Sequence, residues 1–375
     1  MKHVVIGAGP SGVIYALKVK HDNPKDTVII LESSDKVLKR ILVSGNGRAN
    51  FYNEELLNNS IEKAYENKCS ALEIIDNNIA LETLEFLKSL GLVYVIDNAG
   101  RFYPYSNSSL TLWKILVEAL NKSNIEIKLN EKAVLVDSNK KHIKTQSGQT
   151  LTYDKLFIGV GGYSYDRVIG SNKNLLDSLN VKYSKFEPAL CPLKTKEKIP
   201  AYLVGTRVYA NVKLFEDNKL IYSEDGELLF KKDGVSGIAI FDASLFVDTN
   251  SNKNYKLSFD VTKRGDFVID ENKRNVPLDL IINEKLANYL NEKYGKKAFD
   301  KLSNIEFNVA SKYDFKESQV SKGGVNLSEI NLSNMSLKKD SNIYIGGEVI
   351  DLSAICGGYN IGLAFITAYK AAKNK

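Results

Sequence analysis

The sequence contains few of the residues that bind structural metals or form disulfide bonds. It has no C-x-x-C pair, because the three cysteines lie far apart, at Cys69, Cys191 and Cys356. The three histidines are equally scattered, at His3, His21 and His142. Zinc sites and disulfide frameworks need such residues at short, regular spacings. We therefore expect neither a metal site nor a disulfide-stabilised fold.

Charge and hydrophobicity are spread along the chain rather than concentrated. The 51 basic residues exceed the 45 acidic ones by 6, and the nearest approach to a basic block is Lys231-Lys232. Nucleic-acid-binding proteins usually concentrate Lys and Arg on one face, so the composition gives no positive support for a nucleic-acid partner. No apolar run is long enough to span a bilayer. We expect a cytoplasmic protein without a membrane partner, and no pattern indicates its oligomeric state.

Length and texture predict an α/β protein with an insertion. A chain of 375 residues exceeds the usual size of one compact core. From about Glu187, short polar strand-like segments replace the alternation of strands and helices, as in an antiparallel barrel or sandwich. Leu278 to Leu302 has a strongly helical pattern, and strand–loop–helix order returns at Ile343. We predict one domain of residues 1–186 and 320–375, an inserted β-rich substrate domain of 187–260 and 304–319, and a small helical subdomain of 261–303.

The N-terminal residues predict a strand–helix–strand unit that binds a dinucleotide. His3 to Ile6 and Thr27 to Leu31 are apolar strands, and Pro10 to Lys20 has a helical pattern. The loop between them is G-x-G-x-x-G, in which the glycines permit a tight turn, close approach to a pyrophosphate and packing of the helix on the strand. Its predicted cofactor contacts are Gly7, Gly9, Pro10, Ser11 and Gly12.

An acidic residue follows this loop at the spacing that a nucleotide site requires. Glu32 lies 20 residues past Gly12, at the end of the second strand, where a carboxylate can accept both ribose hydroxyls of an adenosine. Such a carboxylate would repel a 2′-phosphate, so we expect FAD or NAD rather than NADP. The alternative is an ordinary glycine turn without a ligand.

Two further glycine-rich segments carry polar groups suited to a cofactor. The first has two glycines with hydroxyl, amide and guanidinium groups that could bind phosphates or a ring edge, or it is simply a solvated loop. Its predicted contacts are Lys39, Ser44, Gly45, Asn46, Gly47 and Arg48. The second segment would bring a carboxylate to a ribityl or ribose hydroxyl. It would also begin a helix whose N–H groups face the flavin N1–C2=O edge. The alternative is a helix start without a ligand. Its predicted contacts are Gly347, Glu348, Asp351, Gly357, Gly358, Tyr359, Asn360 and Ile361.

Three more predicted contacts lie on or after strands of the same domain. Val134 belongs to the strand-like segment Ala133 to Val136, and Gly161 and Gly162 directly follow the buried strand Leu156 to Val160. Because the chain devotes a C-terminal loop and helix to a second moiety, as a flavin requires, we predict FAD as the tightly held cofactor.

Eight segments resemble the BaiN/YhiN-like flavoproteins, also known as aminoacetone-oxidase-type FAD-dependent oxidoreductases. They occur in the family's order over essentially the whole chain: GAGPSG, LVSGNGRANFYN, GRFYP, VGGYSY, PALCPL, GELLFKKDGVSG, SQVSKGGV and GGEVIDLSAICGGYN. The resemblance implies a discontinuous Rossmann-type FAD domain of the glutathione-reductase type, an inserted β-barrel-like domain and a small helical one. It also implies that SGNGR and GGYN lie along the flavin.

The chain departs from the family's motifs at several positions. Ala49, Phe51 and Tyr52 stand in the stretch where the family has a cysteine. The stretch Phe230 to Ile238 lacks the family's histidine and proline, and Ser321 replaces a threonine. These changes leave the FAD motifs intact, but the substrate does not follow from the resemblance.

The leading hypothesis is an enzyme that moves a hydride between FAD and a small organic substrate. The family includes reductases of conjugated C=C bonds and amine oxidases, and the sequence does not select between them. No second G-x-G-x-x-G follows a strand, so NAD(P)H would bind only transiently, as electron donor. The rival class is an RNA-modifying or FAD-sensing flavoprotein without small-molecule turnover. The pocket could be lined by Tyr103, Tyr359 and Arg101. A dithiol cycle needs two cysteines, and neither Cys69 nor Cys191 is near Cys356 in the sequence. No catalytic acid or base is assigned.

Overall fold

The computed structural model describes residues 1–165, 171–249, 251–265 and 267–373. These residues form two compact units. The first unit lies within residues 1–163, 167–187 and 321–375, and the second within 164–166 and 188–320. No helix in the part of the chain that the structure describes has the length and apolar content needed to cross a membrane.

The helices and strands are numbered in chain order. Up to residue 189 they are β1 (Lys2–Ile6), α1 (Pro10–Asp22), β2 (Thr27–Leu31), β3 (Tyr52–Asn53), α2 (Glu54–Asn58), α3 (Lys68–Ile74), α4 (Asn77–Ser89), β4 (Tyr94–Ile96), β5 (Arg101–Pro104), α5 (Ser109–Lys122), β6 (Glu126–Lys128), β7 (Ala133–Asp137), β8 (His142–Thr145), β9 (Thr150–Thr152), β10 (Lys155–Ile158), α6 (Lys173–Ser178) and β11 (Tyr183–Ala189). Beyond it they are β12 (Leu193–Thr195), β13 (Arg207–Glu216), β14 (Lys219–Lys231), β15 (Gly234–Ser236), α7 (Ile238–Leu245), β16 (Tyr255–Asp260), β17 (Lys263–Arg264), β18 (Phe267–Val268), α8 (Glu284–Tyr294), β19 (Ile305–Lys312), β20 (Val320–Val325), β21 (Ile330–Asn331), β22 (Ser336–Leu337), β23 (Asp340–Ile345) and α9 (Tyr359–Lys373).

The core of the first unit is a mainly parallel sheet in the order β21-β22-β23-β10-β1-β2-β6. The predicted strand–helix–strand unit is confirmed, since β1 pairs in parallel with β2 across α1, and β1 also pairs in parallel with β10, which pairs in parallel with β23. These central strands are nearly continuous apolar runs because both faces of a parallel sheet are covered. Val4, Val5 and Ile158 are fully buried. The carboxyl ends of β1, β10 and β23 therefore meet at one edge, where cofactors bind in such folds.

Besides the two-stranded sheet β11-β20, the first unit contains two small antiparallel sheets. One has the order β7-β8-β9, and a turn around Ser147-Gly148 joins its last two strands. The other has the order β3-β5-β4. Its strands contain only two to four residues, which is too short for an alternating pattern to be visible in the sequence.

The second unit contains a closed barrel in the order β12-β15-β14-β13-β16-β19. Its strands pair antiparallel, which confirms the predicted antiparallel architecture. The inward-facing side chains form one hydrophobic cluster, including Phe230, Phe259 and Phe307. Closing the barrel removes the exposed edges that an open sheet would present.

The helical segment of the second unit is shorter and more interrupted than its pattern predicts. Of Leu278 to Leu302, only Glu284–Tyr294 is α-helix, flanked by single turns of 3-10 helix. Asn283 caps the helix start by accepting the Lys285 N–H, and Gly295 ends it with φ 54° and ψ −128°. Tyr289 of this helix stacks on Phe307 of the barrel, with ring centroids 6.0 Å apart.

Candidate functional site

The glycine loop between β1 and α1 is held by its own backbone. Gly7 donates its N–H to Leu31 O at 2.8 Å and has φ 101°, which favours glycine. A Cβ atom on Gly7 would lie 2.5 Å from Gly159 O, and one on Gly12 would lie 1.9 Å from Gly7 O. Both positions therefore require glycine for the packing of the strands and the helix, independently of any ligand.

Gly9 differs, because nothing in the chain requires a glycine there. It has φ −76° and ψ −175°, which any residue adopts, and a Cβ atom would meet no other atom within 4 Å. This open space lies immediately before Pro10, the first residue of α1, where helix N–H groups attract phosphate. The loop thus fits the pyrophosphate of a dinucleotide, which needs close approach to the backbone at this glycine.

Glu32 lies beside the glycine loop, at the end of β2. Its carboxylate is buried and accepts the Ala8 N–H at 2.7 Å through Oε2. Its Oε1 accepts the N–H and the hydroxyl of Ser34, both at 2.8 Å. These hydrogen bonds fix the carboxylate next to Ala8, at the edge of the sheet where the ribose of an adenosine would lie.

Ser11 joins the glycine loop to the C-terminal motif. A Cβ atom on Gly159 would lie 2.7 Å from Ser11 Oγ, and one on Gly347 would lie 2.6 Å from the same oxygen. Gly159 follows β10 and Gly347 follows β23, so the Ser11 side chain packs where the two strands end. The structure therefore brings Gly347 to the loop formed by Gly7 to Gly12.

Glu348 and the Gly161-Gly162 pair form a second group of predicted residues. Glu348 Oε1 accepts the Ser321 N–H at 2.7 Å, and Ser321 Oγ accepts the Tyr163 N–H, also at 2.7 Å. A Cβ atom on Gly162 would lie 2.6 Å from Glu348 Oε1, so glycine is needed for this approach. Asp351 lies elsewhere in the unit, where its carboxylate accepts the Ser184 hydroxyl at 2.5 Å.

The SGNGR segment is an exposed loop attached to the dinucleotide loop. Leu38 donates its N–H to Ala8 O at 2.8 Å, and Ser109 donates its hydroxyl to Leu42 O at 2.8 Å. Ser44 turns back on its own loop by donating to Ile41 O at 2.7 Å. Four positions near the end of this loop adopt positive φ, at Gly45, Asn46, Gly47 and Ala49. The predicted contacts other than Ser44 are exposed, at Lys39, Gly45, Asn46, Gly47 and Arg48.

Two asparagines that sequence reasoning missed connect this loop to the GGYN motif. Asn53 donates its amide to Gly357 O at 3.0 Å. In the amide orientation that satisfies both neighbours, Asn50 donates to Tyr52 O and accepts the Gly358 N–H, each at 3.2 Å. A Cβ atom on Gly358 would lie 2.3 Å from Tyr52 O. The only signal in the sequence was the position of both asparagines just after SGNGR, in residues 49–53.

The start of α9 is held by side chains of the same region. Tyr359 donates its hydroxyl to Glu55 Oε2 at 2.7 Å. Asn360 accepts the Ala354 N–H at 3.0 Å and donates to Ala354 O at 2.8 Å, so its amide secures the loop before the helix. Contacts of Gly357, Asn360 and Ile361 with a flavin stay predictions. Val134 lies at a bulge of β7, where the register shifts between Ala133 and Leu135.

The cysteines occupy three different environments. Cys69 is exposed, Cys356 is partly exposed, and Cys191 is buried, which raises the pKa of its thiol to about 11. Across the described residues, no group of three or more His, Cys, Asp or Glu side chains is arranged to hold a metal ion.

Comparisons with known proteins give matches over nearly the whole chain. The family model described as "HI0933-like protein Rossmann domain" matches residues 1–374. The chain is 26% identical to the 3-dehydro-bile acid delta(4,6)-reductase of Clostridium scindens, with 98% of this chain and 97% of that protein covered. It is 20% identical to the ribosomal RNA dihydrouridine synthase of Escherichia coli, with 99% and 97% covered.

A solved structure supports the fold. The 3-ketosteroid delta1-dehydrogenase of Sterolibacterium denitrificans superimposes with a TM-score of 0.53 at 11% identity, covering 99% of this chain and 98% of that one. With the glycine loops described above and the match over residues 1–374, the chain belongs to the HI0933-like family of Rossmann-type flavoproteins and is an FAD-dependent oxidoreductase.

Proposed function

We propose that this enzyme reduces a C=C bond conjugated to a carbonyl group in a small organic substrate, with NAD(P)H as a transient electron donor. The observation that carries the proposal is the match over nearly the full length to a reductase whose name specifies reduction of the Δ4 and Δ6 positions of a 3-dehydro-bile acid. A C=C bond accepts a hydride when a conjugated carbonyl can take up the developing negative charge, so this reaction suits a flavin.

The first unit has the residues that would hold FAD. The loop from Gly7 to Gly12 and the start of α1 would bind the pyrophosphate, and Glu32 would accept the ribose hydroxyls of the adenosine. The loop of Gly357 and Gly358 would lie along the flavin. When bound, FAD supplies two-electron hydride transfer. The chain's own part is to hold the cofactor, to orient the substrate and to exclude water.

A second candidate substrate is RNA. The curated relatives include ribosomal RNA dihydrouridine synthases, at 20% and 21% identity. Dihydrouridine forms when the C5=C6 bond of uridine, which is conjugated to the C4 carbonyl, is reduced. The two kinds of relative thus share one reaction class and differ in the size of the substrate.

The test begins with the purified protein. Its spectrum should show bound flavin, and denaturation should release a compound with the mass of FAD. NADH or NADPH should bleach the flavin without oxygen, and a 3-oxo-4-ene steroid acid should then restore the oxidised spectrum. Restoration only by ribosomal RNA that lacks dihydrouridine would favour the second candidate. Restoration by oxygen alone, with an amine rather than NAD(P)H as reductant, would refute reductase activity and indicate an amine oxidase.

A further inference from the structure

One face of the β3-β5-β4 sheet carries apolar side chains that are exposed. The antiparallel register places Val95 opposite Tyr103, and the Tyr105 N–H donates to Val93 O at 2.9 Å, which continues the pairing. Val93, Val95 and Tyr105 are therefore on the same side as Tyr103. They are 64%, 39% and 71% exposed, whereas Tyr103 is buried. A group of exposed apolar residues on one side of a small sheet is typical of a binding surface.

The opposite face of this sheet is core around Phe102, with Ile96 at its margin 43% exposed. Phe102 is fully buried and packs against Phe51 and Tyr94, with ring centroids 6.1 Å and 4.9 Å away. The buried aromatic contacts of this sheet thus lie on the Phe102 side, whereas Val93, Val95 and Tyr105 on the Tyr103 side are exposed.

Arg48 of the SGNGR loop places a positive charge over the same face. Its guanidinium carbon lies 5.0 Å from the centre of the Tyr103 ring, a cation–π contact. Its side chain is exposed and, among the described residues, forms no ion pair with an acid. Arg101, on the same face, differs, because its guanidinium is neutralised by Asp97 at 2.7 Å.

The loops predicted to lie along the flavin are attached to this sheet. Asn53 of β3 donates to Gly357 O, and Gly358 packs on the backbone of Tyr52. Arg48 belongs to the other of the two loops. A molecule lying on the Tyr103 face would thus be beside both loops.

We propose that Arg48, stacked on Tyr103, binds the carboxylate of the substrate, and that Val93, Val95 and Tyr105 contact its apolar body. This inference rests on the proposed function and narrows the substrate to a carboxylic acid with an apolar body. A guanidinium is well suited to a carboxylate, because its planar donors can form two parallel hydrogen bonds. The inference also gives Arg48 a role toward the substrate rather than the cofactor contact that its motif predicts.

The test compares a charged and a neutral form of one probe. The probes are 3-oxochol-4-en-24-oic acid and its methyl ester, and calorimetry measures their binding to the FAD-loaded protein separately from turnover. Arg48→Met should weaken binding of the acid by about 10- to 100-fold, the range for losing a charged hydrogen-bond partner. Binding of the ester should stay unchanged, and Arg48→Lys should restore part of the affinity for the acid.

Two further variants separate local from general effects. Lys122→Met removes the same charge from the exposed end of α5, where Lys122 pairs with Glu118, and should leave both probes unaffected. Tyr103→Phe keeps the ring under the guanidinium and should bind the acid normally, whereas Tyr103→Leu should weaken it. Equal loss of acid and ester in Arg48→Met, or failure of the wild-type protein to bind either probe, would overturn the inference.

The outcomes also distinguish this inference from the proposed function. Loss of FAD from Arg48→Met with an unchanged ratio of acid to ester affinity would assign Arg48 to the cofactor and refute a role toward the substrate. Wild-type protein that binds the acid through Arg48 but never reduces it would support the inference and count against the reductase.

Discussion

Gly9 and Gly12 provide a matched test of what the dinucleotide loop is for. Both are glycines of the same motif, and both substitutions to alanine add one methyl group. On Gly12 that group would lie 1.9 Å from Gly7 O, far inside the normal contact distance, whereas on Gly9 it would meet nothing within 4 Å. The chain itself therefore requires one of these glycines, and only a ligand requires the other.

The two variants should fail in different ways. Gly12→Ala should lower the free energy of unfolding of the apoprotein by about 1–3 kcal/mol, the usual cost of overpacking. Gly9→Ala should lower it by no more than about 1 kcal/mol, since Gly9 is the N-cap of α1 and alanine is a poorer cap. The main effect of Gly9→Ala should be weaker binding of FAD. Displacing the pyrophosphate from one charge-assisted hydrogen bond costs about 1.5–3 kcal/mol, or roughly 10- to 100-fold in affinity.

The assay needs two measurements on protein stripped of flavin. Urea unfolding followed by circular dichroism gives the stability of each apoprotein, and quenching of flavin fluorescence during titration gives the dissociation constant for FAD. If Gly9→Ala protein binds FAD as tightly as the wild type, the space beside Gly9 does not receive the pyrophosphate. If it loses as much apoprotein stability as Gly12→Ala, the conclusion that only a ligand requires Gly9 is wrong.

Four other substitutions test separate parts of the site. Glu32→Ala should weaken FAD binding by about 1–3 kcal/mol, measured by the same titration, because the ribose hydroxyls lose a charged acceptor. Gly358→Val should lower the melting temperature, because a Cβ atom at this position would lie 2.3 Å from Tyr52 O and φ is 94°. In protein that still holds FAD, it should also lower the midpoint potential of the flavin. An unshifted potential would mean that this loop does not contact the flavin ring. Ala49→Gly should raise the free energy of unfolding by about 0.5–1 kcal/mol, because Ala49 is buried at φ 55° and relief of about 1–2 kcal/mol of strain exceeds the entropy cost of glycine; a destabilised variant would contradict this. Cys356→Ser should leave the rate of flavin reduction nearly unchanged in stopped-flow measurements, and a hundredfold loss would assign the thiol a redox role.

Local patterns predicted the parts of the fold whose signals are local. β2 begins and ends at the predicted residues, and β1 and α1 differ from their predicted bounds by one or two residues. β1 and β2 are short apolar runs and α1 has a helical pattern, and each of these elements is followed by a glycine, a charged residue or an asparagine. The helical pattern from Leu278 to Leu302 is longer than the α-helix within it, because Gly295 ends α8 at a point that periodicity alone does not mark.

The contacts that assemble the candidate site could not be predicted in the same way. Asn53 and Gly357 are 304 residues apart, and no periodic pattern relates such distant positions. The two- to four-residue strands β3, β4 and β5 left no alternation to read, yet they carry Tyr103 and the apolar face beside it. The sequence motifs identified which loops matter, and only the structure identified their neighbours.

The position of β23 has a consequence for the order in which the site can form during synthesis. β1 and β10 can pair once about residue 160 has left the ribosome, so the backbone around Gly7 and Gly159 can exist early. Gly347, which packs on Ser11, and Gly357 and Gly358, which contact Asn50 to Asn53, arrive almost two hundred residues later. At about 5–20 residues per second, the nascent chain spends on the order of ten seconds or more with the backbone around Gly7 and Gly159 but without Gly347, Gly357 and Gly358. The contacts of Ser11 with Gly347 and of Asn53 with Gly357 can therefore form only after the whole second unit has been synthesised.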